Sequence, residues 1–66
     1  MPISNELLGQ IKTQIDDAEQ AIKEIEDVIS DLRVSGIDAT DQEKKLASVK
    51  AQVNQLRLFY SRQSKR

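Results

Sequence analysis

Cysteine, histidine and tryptophan are all missing from the 66-residue chain, which has one phenylalanine (Phe59), one tyrosine (Tyr60), one proline (Pro2) and two glycines (Gly9 and Gly36). Without cysteine there is no disulfide framework, no thiolate metal site and no cysteine nucleophile, and the redox compartment is left open. Without histidine the most common general base and the most common transition-metal ligand are both absent. A di-iron bundle site built on Glu-x-x-His pairs is excluded for the same reason. The longest apolar run is Leu58-Phe59-Tyr60, far short of the ~18–20 residues needed to cross a bilayer. No charged-then-apolar leader opens the chain, so no secretory signal is read and a cytoplasmic location is the expectation. Neither sign of charge dominates: ten Lys and Arg face eleven Asp and Glu, for a net charge of −1.

The scarcity of helix breakers sets the architecture. Pro2 precedes the first periodic segment, and Ser4 has the chemistry of an N-cap, with Ile3 and Leu8 at the spacing of a hydrophobic staple. Nothing then interrupts a helix until Val34 except Gly9, at a cost of ~1 kcal/mol relative to alanine. Gly36 suits the left-handed residue that ends a helix, with Ile37 folding back on Leu32 in a Schellman arrangement. Asp38 or Thr40 restarts the chain, and Thr40-Asp41-Gln42-Glu43 matches a capping box. The expected elements are a helix over about 5–34, a turn over 35–39, a second helix over about 40–61 and a frayed basic tail over 62–66. At ~1.5 Å per residue the helices measure ~45 and ~33 Å. The fold class is all-α, an antiparallel two-helix hairpin forming a single domain.

The heptads specify how the two helices meet. Leu8, Ile11, Ile15, Ala18, Ile22, Ile25, Ile29 and Leu32 alternate steps of three and four, with Leu8, Ile15, Ile22 and Ile29 at a and the others at d. Leu46, Val49, Val53, Leu56 and Tyr60 continue the pattern. A tight corner demands antiparallel packing. The layers are then Ile29 with Leu46, Ile25 with Val49, Ile22 with Val53, Ala18 with Leu56 and Ile15 with Tyr60. In the same register, three pairs at e oppose in sign: Arg33 with Glu43, Glu26 with Lys50, and Glu19 with Arg57. Exposed pairs contribute only ~0.2–1 kcal/mol each, so they select register more than they stabilise. Residues 1–34 carry a net −5 and residues 35–66 a net +4, so an acidic helix folds onto a basic one.

The opposite flank has another character. Position g carries Leu7, Gln14, Ala21 and Val28 on the first helix and Lys45, Gln52 and Phe59 on the second. An apolar stripe widened from a and d to g is the mark of helices in a larger bundle. A chain this small buries only ~60% of its unfolded surface and usually needs a staple or a partner. A homodimer forming a four-helix bundle through this flank is therefore expected. The candidate partner and dimer interface comprises Leu7, Leu8, Ala21, Val28, Phe59 and Tyr60. Ile3, Leu7 and Leu8 overhang the end of the second helix in this register, and the aromatic pair lies close by as interface anchors.

Catalytic, cofactor and metal sites are not expected. Asp17, Glu24 and Asp31 recur every seven residues at c, with Asp16 and Asp27 alongside, but hard cations need convergent ligands and charge runs normally form a solvated face. The serines and Thr13 have no histidine, and two helices enclose little volume for a substrate. Arg57, Arg62, Lys65 and Arg66 fall within ten residues free of acid, beside Phe59 and Tyr60. Bases next to aromatics can contact phosphates and stack on unpaired bases. Equally, cations settle a helix C-terminus and keep a tail soluble.

In length, heptads and single corner the layout resembles the Rop-type plasmid copy-number regulators, helical hairpins that dimerise into a four-helix bundle and bind RNA. It is also similar to the small hairpin co-chaperones of type III secretion needle subunits, which grip a partner helix through an apolar face. The function expected from the residues is a non-catalytic helical-hairpin interaction module, self-associating or docking partner helices through the uncharged flank as a small adaptor, co-chaperone or assembly factor. The alternative is a small Rop-like dimeric nucleic-acid-binding protein using the basic C-terminal end.

Overall fold

The computed structural model describes residues 3–65; Pro2 and Arg66, which carry two of the expectations above, lie outside them. Two helices, α1 (Asn5–Val34) and α2 (Thr40–Ser64), pack against each other as a hairpin. Ser4 caps α1 as its chemistry requires. Its hydroxyl accepts the Leu7 N–H at 3.2 Å, its backbone is extended, and its carbonyl accepts the Leu8 N–H at 3.0 Å.

The corner is a Schellman motif. Gly36 adopts φ +75°, the left-handed region where a side chain is strained. The Ile37 N–H bonds the Leu32 carbonyl at 2.8 Å and the Gly36 N–H bonds the Arg33 carbonyl at 3.1 Å. The Ile37 side chain is left exposed, so the backbone closes the motif without full apolar cover.

Helix α2 starts differently from the capping box expected of Thr40. The N-cap is Ala39, whose methyl group cannot accept a hydrogen bond, and Thr40 is already helical. Asp38 fills the role from one residue further back: its Oδ1 accepts the Thr40 N–H at 3.2 Å and the Thr40 hydroxyl at 2.6 Å. Glu43, freed from the box, pairs with Arg33 across the corner. A cross-helix ion pair competes for Glu43, and Asp38 already occupies the Thr40 donors. The far end of α2 also departs from expectation, with residues 62–64 helical instead of frayed. Helix α1 extends opposite them back to Asn5, so the seam still offers a surface there.

The heptad seam is where the apolar cover lies. Ile15, Ile29 and Val53 are buried, and the remaining a and d residues from Leu8 to Tyr60 are all half-buried. All three cross-helix ion pairs form in the expected register: Arg33 with Glu43, Lys50 with Glu26 at 3.6 Å, and Arg57 with Glu19. The result is a rod of 51 × 15 × 13 Å. Its radius of gyration is 15.3 Å, against the ~11 Å typical of a compact 66-residue domain.

Candidate functional site

Two faces of the hairpin flank the seam, and they differ in chemistry. On the e face a shallow groove is walled by Glu26, Arg33 and Glu43 over Ile29 and Leu46. The charges there are engaged in the cross-helix pairs. On the g face, Val28 of α1 and Lys45 of α2 line one groove together with Ile25, Glu24 and Gln42. The g positions of the two helices are therefore neighbours, as the antiparallel register requires.

The g face holds most of the expected interface residues. Leu7 is 48% exposed, Val28 50% and Phe59 41%, while Ala21 is half-buried. These side chains cluster along one face because g lies next to d on a helix, on the side away from e. Leu8 and Tyr60 belong instead to the seam, where each is half-buried at an a position. Ile3 is half-buried near the N-terminal end. The anchors stand along an open face, with Val28 at the edge of the groove it shares with Lys45.

Further apolar exposure lies off this flank. Leu58 faces outward on α2, and Val34 and Ile37 stand free at the corner, Val34 at 84%. Ala39 is the opposite case: it is buried within the corner. Periodicity has no purchase in a five-residue turn. A lone alanine between two polar residues, Asp38 and Thr40, was the only sequence signal for it.

The basic candidates are divided. Arg57 is held by Glu19 on α1; Arg62 and Lys65 are exposed at the end of α2; Arg66 lies outside the described residues. The acidic residues of α1 stay spread along its outer face, where Asp17, Glu24 and Asp31 are all exposed. Among the described residues no three His, Cys, Asp or Glu side chains converge as a metal site would need. No helix there is long and apolar enough to cross a membrane. Among the described residues the carboxyl of Asp38 is perturbed. Asp38 is held below its ordinary carboxylate value by the hydrogen bonds from the Thr40 hydroxyl and then its N–H, against a smaller opposing effect of burial. That shift belongs to the helix start and has no partner in a cleft.

No protein family, curated protein or solved structure matches the chain. The likeness to the two hairpin classes therefore rests on layout.

Proposed function

We propose that this chain is a non-catalytic interaction module, a rigid helical hairpin that packs other helices against its uncharged g flank, as an adaptor, co-chaperone or assembly factor. One observation carries the reading. Leu7, Val28 and Phe59 keep about half their surface in water on a single face, whereas the aliphatic side chains at a and d are buried or half-buried. The seam builds the rod, the e-face ion pairs hold its register, and the g flank is left to make contacts. An occupant helix would place apolar anchors at i, i+3, i+4 and i+7.

Self-association is the leading form, and sedimentation equilibrium at micromolar concentration tests it. The expected species is a dimer of about 15 kDa, twice the 7.5 kDa chain. Val28→Glu is expected to return it to the single-chain mass while keeping its helicity, because Val28 is half exposed in the hairpin. A wild-type chain that stays at 7.5 kDa would overturn self-association. Nucleic-acid binding through Arg62 and Lys65 is the competing reading. It separates by salt, since phosphate contacts weaken steeply as salt rises and apolar helix packing does not.

A further inference from the structure

Resting on the proposed g-flank interface, we infer that its occupant is a second copy of this chain, joined about a two-fold axis parallel to the rod so that both corners lie at the same end. Surface area argues for a copy. The hairpin exposes 5141 Å², whereas a compact protein of its mass exposes ~4,200 Å². Two separate hairpins expose ~10,300 Å² and one compact particle of their joint mass ~7,000 Å². Pairing can therefore remove ~3,000 Å², above the ~1,200–2,000 Å² of a standard stable interface.

Charge decides the orientation. Two hairpins can pack face to face in two symmetric ways. An axis across the rod sets α1 against the other α1 with the corners at opposite ends; an axis along the rod sets each α1 against the other copy's α2. Residues just outside g form the rim of such an interface, and on α1 these are Gln10, Asp17, Glu24 and Asp31, all exposed. Pairing α1 with α1 at full overlap brings Asp17 and Glu24 of one copy against Glu24 and Asp17 of the other. Like charges placed so closely disfavour that arrangement. It also juxtaposes two helices that each carry three bases and eight acids.

The axis along the rod removes the second conflict and confines the first to the corner end. Asp17 and Glu24 then face Gln55 and Ser48, which are uncharged, while at the corner end Asp31 faces Asp41 in the same register, with Lys44 and Lys45 a turn further along α2. Each acidic α1 lies between two basic α2 helices, and all four neighbouring pairs are antiparallel.

The absence of native cysteine makes a single-site label clean. Ser35, exposed at the corner and hydrogen-bonded there only through its backbone, is the position to use. Ser35→Cys carrying a nitroxide should give one inter-chain distance of ~15–25 Å by pulsed dipolar spectroscopy, the diagonal of a bundle with 8–10 Å axial spacings plus label reach. A dimer with the labels ~45 Å apart, the length of α1, would overturn the shared-end arrangement and leave the g-flank interface standing. A monomer with no inter-chain coupling would overturn both. In the variant Asp17→Asn, Glu24→Gln, the long distance should appear beside the short one. An unchanged single short distance would show that these carboxylates do not choose the orientation.

Discussion

Shortening Val53 to alanine puts the seam itself under test. Val53 keeps only 2% of its surface exposed, on α2 opposite Ile22 of α1. Two methyl groups leave on substitution, which forfeits about 1.6 kcal/mol of transfer free energy at ~0.8 kcal/mol per buried carbon. The space they vacate adds up to about 1 kcal/mol where neighbours keep their places. The combined cost of about 1.5–2.5 kcal/mol weighs on a chain whose whole stability, at ~0.05–0.15 kcal/mol per residue, is about 3–10 kcal/mol. In thermal terms the melting temperature should fall by roughly 6–20 °C. Leu58→Ala is the control, because Leu58 is 62% exposed and surface substitutions usually stay within ~0.5 kcal/mol. The assay is urea and thermal unfolding followed by circular dichroism, with both variants at one protein concentration, since association raises apparent stability. Equal costs for the two variants would refute the register, for they would place Val53 in no more cover than Leu58.

Other consequences follow from single contacts. The two glycines should respond with opposite sign. Gly9 lies in α1 with open space where an alanine methyl would stand, so Gly9→Ala should raise stability by about 0.5–1 kcal/mol. Gly36 also has open space but stands at φ +75°, so Gly36→Ala should lower stability by about 1–2 kcal/mol in the same unfolding assay. A double-mutant cycle on Glu26 and Lys50, 3.6 Å apart and each half exposed, should give a coupling of about 0.2–1 kcal/mol that fades at high salt. Zero coupling at low salt would count against the pair. Asp38 makes the start of α2 sensitive to acid. Its folded value lies below the ordinary 3.8, so its contribution is fully present above 3.8 and is lost as pH falls through the lowered value. Asp38→Asn, which can still accept from Thr40 without titrating, should flatten that part of the acid dependence of the urea midpoint; an unchanged profile would locate the acid sensitivity elsewhere.

The hairpin was legible in the residues because each of its rules is local or periodic. Ser4 and Gly36 mark helix ends through chemistry confined to one turn, and the three-four spacing of isoleucines and leucines needs no knowledge of the rest of the chain. Antiparallel register also emerged early, since a short corner leaves one way for the helices to align and three opposed charges agree with it. The start of α2 was harder to read. Thr40 and Glu43 satisfy a capping pattern taken alone, while the seam register gives Glu43 to Arg33, and which of the two claims wins is settled only once the chain has turned. Ala39 is similar, a small residue whose burial depends on the two helices meeting around it. Helix α2 runs past Ser61 for the same kind of reason, with α1 still beside it.

What the sequence determined by itself was therefore the two-helix hairpin, its seam and its pairing of opposite charges, because periodicity and sign are properties of a linear string. The heptad also set Leu7, Val28 and Phe59 apart from the seam, at g. Only the tertiary structure decided how much of each stays in water, because that depends on how the axes of α1 and α2 lie side by side, and only the closed corner decided that Ala39 is buried while Ile37 is exposed.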